Sequence, residues 1–258
     1  MKHFLKGFSI LTLFLNIFMF NISAENLDTK EYDWYFHSDT KGGIPDSPKE
    51  TRNFNSKYST YYLGDSKEKV IYLTFDQGYE NGNTLKILDI LKEEQVPAAF
   101  FVVRPYIKDH PDIVKRMVEE GHIVGNHSSH HPSMASIQDE KKFESEFKDV
   151  EELFKETTGK DMPKYFRPPM GKYSELSLAR TEKLGYKTIF WSFAYRDWIK
   201  EKQPSEAFAI KKITEGFHSG EIMLLHSVSS TNASVLKTVI KEAKSQGYAF
   251  KSLDQLGS

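Results

Sequence analysis

Val70-Ile71-Tyr72-Leu73-Thr74-Phe75 is a run of strand-forming side chains without a polar face, and Ala98-Ala99-Phe100-Phe101-Val102-Val103 repeats the pattern. A strand that is apolar on both sides is buried on both sides, which is the condition of a parallel sheet wrapped by helices. Leu85, Ile87, Leu88, Ile90 and Leu91 lie between the two runs at helical spacing. The alternation then continues outward along the chain. Ile113, Val114, Met117 and Val118 predict a helix ending at Gly121, and Ile123-Val124-Gly125 a short strand. Phe143, Phe147, Val150 and Phe154 mark a long amphipathic helix that stops at Gly159. A fourth strand ends near Phe166, and a helix carrying Leu176, Leu178 and Leu184 stops at Gly185. Thr188-Ile189-Phe190-Trp191 and Ile222-Met223-Leu224-Leu225 are the next strands, separated by a helix through Phe208, Ile210 and Ile213. Val235, Leu236, Val239, Ile240 and Ala243 give the last helix, and Tyr248-Ala249-Phe250 closes the series. Seven βα-type units of this kind define an α/β protein. An open doubly wound sheet and a barrel both satisfy the pattern. No Gly-rich turn follows the first strand, which argues against a dinucleotide-binding domain.

Composition narrows the function. The 258 residues carry 35 Lys+Arg against 36 Asp+Glu, a formal net charge of -1. That balance gives no electrostatic argument for nucleic acid or a membrane surface. Hydrophobic residues at 39% and charged residues at 28% exclude wholesale disorder. The absence of Cys removes a disulfide scaffold, a zinc-finger cluster and a thiol nucleophile together. Aromatics at 14% suit sugar stacking, although a large aromatic core explains most of them.

The first segment reads apart from the fold. Lys2 and Lys6 precede an apolar run from Phe8 to Ile22, followed by small Ser23 and Ala24 and then polar Glu25. These are the three regions of a secretory signal peptide, expected over residues 1–24. An uncleaved membrane anchor is the rival reading. Either one puts the body of the protein outside the cytoplasm, secreted or anchored in the cell envelope. Residues 25–60 are polar and turn-rich, an N-terminal arm expected to be pinned to the main domain by Trp34, Tyr35 and Phe36, and residues 61–258 form that domain.

The polar residues that follow the apolar runs are chemically suggestive. Asp76 follows the first strand, His127 the third, Arg167 the fourth and His226 the sixth, with Asp197 a few residues past the fifth. In a parallel α/β barrel the carboxyl ends of all strands share one face, and that face carries the active site. Five catalytic-type side chains thus converge without being neighbours in sequence. His127 and His131 are four residues apart, so one helical turn places both imidazoles on one side, a spacing suited to a borderline cation such as zinc. On spacing alone a His-rich surface loop reads equally well. The company of the other residues tips the balance to a metal.

These strings resemble the polysaccharide deacetylase family (NodB-homology domain, carbohydrate esterase family 4). Thr74-Phe75-Asp76-Gln77-Gly78 is similar to its first motif, His127-Ser128-Ser129-His130-His131-Pro132 to its second and Arg167-Pro168-Pro169-Met170-Gly171 to its third. Asp197-Trp198 resembles the fourth and Leu224-Leu225-His226 the fifth, so the likeness covers residues 60–256. The longer strings Thr74 to Gly82, Phe190-Trp191-Ser192 and Leu225-His226-Ser227-Val228-Ser229 resemble one branch, the delta-lactam-biosynthetic de-N-acetylases of spore cortex peptidoglycan.

The resemblance implies a deformed (β/α)7-8, TIM-like barrel and metal-assisted amide hydrolysis. It assigns His127 and His131 to a divalent metal, most often zinc, Asp76 to the general base and His226 to the general acid. Arg167 would orient Asp76, Asp197 would hold His226 protonated, and the backbone N–H of Met170 would help stabilise the oxyanion. Tyr79, Tyr173 and Trp198 are candidates for the groove wall, with packing beside the cleft the plainer reading of Trp198. Glu80 and Asn81 either line the site or cap the helix starting near Asn83. One position departs from the family. Its third metal ligand is an Asp, and Gln77 stands there, so weaker metal binding or a water in that place is expected.

Three functions follow. The first is de-N-acetylation of N-acetylmuramic acid lacking its peptide, leading to muramic δ-lactam, in the cell envelope or the forespore intermembrane space. The second keeps the chemistry and moves the substrate to N-acetylglucosamine in peptidoglycan or a chitin-like glycan. The third is an inactive glycan-binding barrel, supported by Gln77 alone. A monomer acting on a glycan strand is expected, with or without a partner protein.

Overall fold

The computed structural model describes residues 27–38 and 41–256. The expected signal segment over 1–24 lies outside the described residues. Among them the strands are, in chain order, β1 (Tyr32–Asp33), β2 (Thr60–Tyr61), β3 (Val70–Gln77), β4 (Ala98–Val102), β5 (Ile123–Asn126), β6 (Tyr165–Phe166), β7 (Lys172–Tyr173), β8 (Lys187–Ile189), β9 (Glu221–His226) and β10 (Ala249–Phe250). The α-helices are α1 (Arg52–Asn55), α2 (Thr84–Glu94), α3 (Arg104–Asp109), α4 (Pro111–Glu119), α5 (Glu140–Thr158), α6 (Glu175–Lys183), α7 (Glu206–Thr214) and α8 (Ser230–Ser245).

The doubly apolar strand β3 sits at the centre of a parallel sheet, as its composition requires. β4, β5, β6 and β8 follow on one side, each parallel to the last, and β9 lies on the other. β10 pairs with the first residues of β3, and β2 adds to β8. The sheet curls until a parallel bridge between Phe193 and Met223 links the segment after β8 to β9. The Leu224 N–H donates to the Phe193 carbonyl across that gap at 2.8 Å. The result is a deformed α/β barrel with its strand carboxyl ends on one face.

Successive side chains of a strand point to opposite faces, and β3 shows what each face meets. Val70 and Tyr72 join Phe101, Ile123, Tyr165, Ile189 and Ile222 inside the barrel. Ile71, Leu73 and Phe75 join Ile87, Leu88 and Leu91 of α2, Val114 and Met117 of α4, and Val239 and Ile240 of α8. Phe75 and Phe100 stack there at 5.2 Å, each fully buried, and burial of a side chain of this size is worth roughly 1.5–3 kcal/mol. The same alternation sends Asp76 to the inner face and Gln77 to the helix side. The inner face is tight as well. A Cβ on Gly125 of β5 would come within 2.9 Å of the Phe101 ring and the Tyr165 carbonyl.

One expectation is corrected in detail. Leu85 and Phe208, counted with the apolar stripes of their helices, are 49% and 55% exposed. The helix through Ile113 is preceded by a separate short one, α3, because Pro111 starts α4 afresh. Gly159 closes α5 at φ 72°, as read, and at the other end the Asp139 side chain accepts the Lys142 N–H. Of Trp34, Tyr35 and Phe36, Trp34 is the buried one. It stacks on Phe190 at 4.2 Å and 10°, its indole N–H donates to the Trp191 carbonyl, and its backbone N–H donates to Gly171. Tyr35 is exposed and bonds Glu50.

Candidate active site

The strand ends bring together the residues expected there. Asp76 leaves β3, the His127 loop leaves β5, Arg167 follows β6 and His226 ends β9. They surround a cleft of about 870 Å³ whose lining includes Asp76, His127, His131, Met170, Trp198 and His226. The remaining wall is largely apolar, with Val103, Pro105, Trp191, Leu224 and Val228.

Asp76 is held from behind. Arg167, without exposed surface, donates from Nη1 to Asp76 Oδ1 at 2.9 Å. The guanidinium is itself fixed by the Ile189 carbonyl, which accepts from Nε at 3.0 Å, and by the ring of Phe101 at 4.2 Å. Burial alone would raise the Asp76 carboxyl. The buried cation of Arg167 is the first charge to outweigh it, and with His226 and the Arg167 hydrogen bond it holds the group below the usual carboxylate range. Asp76 is therefore a carboxylate at neutral pH.

The two histidines meet, though not by the expected helical turn. Residues 127–132 form no helix, and Ser128 and His131 take left-handed backbone at φ 68° and 58°. Ser128 Oγ accepts the His131 N–H at 2.9 Å, and Asn126 Oδ1 accepts the Ser128 N–H at 2.8 Å, which holds this non-glycine conformation in place. The rings of His127 and His131 then lie 4.9 Å apart. His127 Nδ1 donates to the Arg167 carbonyl at 2.8 Å, leaving Nε2 as the lone-pair nitrogen, 3.6 Å from Asp76 Oδ2. Burial pushes the His127 imidazolium pKa down to about 4, and burial lowers that of His131 as well. Both are neutral imidazoles, the form that ligates a cation.

His226 is prepared in the opposite sense. Its Nδ1 lies 2.7 Å from Asp197 Oδ1, and its backbone N–H donates to Asp197 Oδ2 at 2.9 Å. Asn232 completes the support by donating to Asp197. Burial would lower the imidazolium pKa, but Asp197 and then Asp76 raise it above the ordinary value. Trp198, half exposed, lies 5.4 Å from the His226 ring. At Met170 the backbone is left-handed with φ 58°, and its side chain stands exposed at the cleft edge.

Two candidates are placed elsewhere. Tyr173 is no groove residue: it is fully buried among Trp34, Phe54 and Phe190, with its hydroxyl on Thr51. Gln77 is fully buried and is not part of the cleft lining. Its Nε2 donates to Thr84 and Tyr106, on α2 and α3, while its Oε1 has no partner among the described residues. The period of two along β3 carries that information, since a residue next to an inward Asp76 faces outward. Glu80 takes the plainer of its two roles. Oε1 accepts the N–H groups of Asn83 and Thr84 and caps α2, while Oε2 accepts from Tyr106. Arg196 and His130 also line the cleft and were not singled out by sequence. His130 does not follow directly on an apolar run, and Arg196 follows only the short Phe193-Ala194-Tyr195, which lies outside the named strands.

The donors available to a cation are thus the two neutral imidazoles. Among the described residues no group of three or more His, Cys, Asp or Glu forms a ready-made metal site. The pair would hold a divalent cation, since both imidazoles are neutral and face each other in the cleft.

The chain matches the family model described as polysaccharide deacetylase over residues 63–189. It is 43% identical over 233 residues to the peptidoglycan-N-acetylmuramic acid deacetylase PdaA of Bacillus subtilis, covering 90% of this chain and 88% of that one. The solved structure of Bacillus subtilis PdaA, described as a family 4 carbohydrate esterase, superposes with a TM-score of 0.85, covering 88% of this chain and 97% of that chain. A peptidoglycan-N-acetylglucosamine deacetylase of Bacillus cereus is 31% identical over 196 residues, 74% of this chain and 89% of its own length.

Proposed function

This chain belongs to the polysaccharide deacetylase family, and from that premise we propose that it removes the N-acetyl group of N-acetylmuramic acid in peptidoglycan strands freed of their peptide. The freed amine is then placed to condense with the lactyl carboxyl group, the new carbon–nitrogen bond replacing a carbon–oxygen bond and releasing water, which gives the muramic δ-lactam of spore cortex. The observation that carries the sugar is the likeness, at 43% identity over 233 residues, to a relative named as a peptidoglycan-N-acetylmuramic acid deacetylase, and the peptide-free state and the lactam rest on the resemblance of the Gln77 and His226 strings to the lactam branch.

The residues divide the chemistry in an orderly way. Asp76, an acceptor held by Arg167, takes the proton of the attacking water as its oxygen adds to the acetyl carbonyl. His226, kept protonated by Asp197, gives its Nε2 proton to the amine nitrogen as the carbon–nitrogen bond breaks. Acetate and a free amine result. The N–H of Met170, on its left-handed turn, is the candidate donor to the oxyanion. When bound on His127 and His131, a divalent cation, zinc by family likeness, supplies positive charge that polarises the carbonyl and acidifies water.

An inactive barrel loses its support, because Gln77 lies outside the cleft while Asp76, Arg167, Asp197 and His226 remain assembled. The N-acetylglucosamine reading is favoured by the Bacillus cereus relative, at lower identity. We further infer that the protein is exported, from the signal-like segment over 1–24 and from a substrate that lies outside the cytoplasm. Acetate release by purified residues 25–258 decides between the substrates. Release from peptide-free muramic glycan, lost with a chelator and restored by zinc, supports the proposal. Release from N-acetylglucosamine oligomers alone sinks it.

A further inference from the structure

Arg196 is the one lysine or arginine among the residues that line the cleft. Both its neighbours are buried and tied down. Tyr195 bonds Asn232 through its hydroxyl, and Asp197 holds His226. Arg196 itself is exposed, with no hydrogen bond or ion pair to any described residue. Every other cleft-lining group that can carry charge has a defined position: Asp76 is engaged by Arg167, His130 by Glu146 at 2.8 Å and His226 by Asp197, while His127 and His131 face the cation site.

A guanidinium without a partner, set on the wall of a largely apolar cleft, is a receptor for a planar anion, which it grips through two parallel N–H donors. The proposed substrate offers such an anion. A muramic residue stripped of its peptide bears a free lactyl carboxylate. One that keeps its peptide has that group neutralised as an amide, and N-acetylglucosamine has none. We propose that Arg196 reads this carboxylate and so selects peptide-free muramic acid, an inference that rests on the muramic reading above. It gives the cleft a reason to prefer trimmed strands that the catalytic residues cannot supply, since they act only on the acetamido group.

The test compares acetate release from peptide-free muramic glycan with release from the same glycan after its carboxylates are converted to methylamides. It is run on wild type, Arg196→Gln and Arg196→Lys, with thermal unfolding confirming that each is folded. Wild type is expected to favour the free carboxylate in kcat/KM on the order of 10-fold to 100-fold, the range of a charge-assisted contact. Arg196→Gln should bring the ratio close to one, with Arg196→Lys between. A wild-type ratio near one, or the wild-type ratio persisting in Arg196→Gln, overturns the role of Arg196 while muramic turnover stands. Wild-type turnover confined to N-acetylglucosamine oligomers overturns the muramic reading and this inference with it.

Discussion

Arg167 Nη1 lies 2.9 Å from Asp76 Oδ1, and the cation has no exposed surface at all. A buried charge with a single ion-pair partner makes each member dependent on the other. Asp76→Asn keeps an oxygen for Arg167 and removes the base. Turnover should fall by about 10²- to 10⁴-fold, with circular dichroism unchanged. Arg167→Met strands the carboxylate instead. The cost should be about 3–5 kcal/mol in denaturant unfolding. Asp76 is held low, so its pairing stabilises the fold above the unfolded carboxylate pKa and is lost as pH falls through the folded one. Arg167→Met should therefore move the acid limb of the pH–rate profile upward.

Asp197 sets the other limb. The imidazolium of His226 is raised above its ordinary pKa, so the acid form persists into neutral pH and activity declines as pH climbs through the raised value. Asp197→Asn removes the charge that raises it. The basic limb of kcat against pH should shift to lower pH, and turnover near neutrality should drop. An unmoved basic limb in a folded Asp197→Asn protein would assign that limb to another group.

Gln77 offers a direct check on the cleft's composition. Gln77→Asp recreates the family's usual residue, yet at a buried position whose partners are Thr84 and Tyr106, with Glu80 bound to the same tyrosine. A second carboxylate there is a buried like charge. Stability should fall by about 1–3 kcal/mol, lowering Tm by roughly 2–10 °C, without tighter zinc binding by calorimetry. Tighter binding with an unchanged Tm would bring position 77 back to the cation.

Glu221 begins the strand that ends in His226, and it is fully buried. Its Oε2 accepts the His218 N–H at 3.3 Å, while Oε1 has no partner among the described residues. Burial drives its pKa far above the usual range. An acid raised in the folded state penalises folding as pH rises above its unfolded pKa. Glu221→Gln should raise Tm, and the gain should grow from pH 5 to pH 9. A gain independent of pH would place an ionised carboxylate there at every pH tested.

The sequence told the location of the site better than its inventory. A polar residue directly after an apolar run marks a strand end, so Asp76, His127, Arg167 and His226 were legible from local pattern, and so was the parallel sheet. Tyr173 and the path between His127 and His131 were not. Burial of Tyr173 is decided by Trp34 and Phe54, far away in the chain, and no local period reports it. The histidine loop depends on left-handed residues whose stabilising bonds come from the Ser128 and Asn126 side chains. Gln77 is a different case: alternation from Asp76 was readable, and a motif comparison concealed it.

Trp34→Ala tests the arm. It deletes the stack on Phe190 and the bond to the Trp191 carbonyl, at a cost of about 3–5 kcal/mol in unfolding experiments. Catalytic loss should exceed what the unfolded fraction explains, because the Phe190 carbonyl also receives Arg167 Nη2.

That last contact makes the arm a structural shim. Trp34 presses on Phe190, Phe190 seats Arg167, and Arg167 aims Asp76. A fragment cut at the family boundary near residue 63 would retain every motif and yet lack the wedge that sets the carboxylate's bearing. Such a trimmed barrel is a poor stand-in for the enzyme in inhibitor screening, since its cleft would be tuned by whatever fills the space left by the indole.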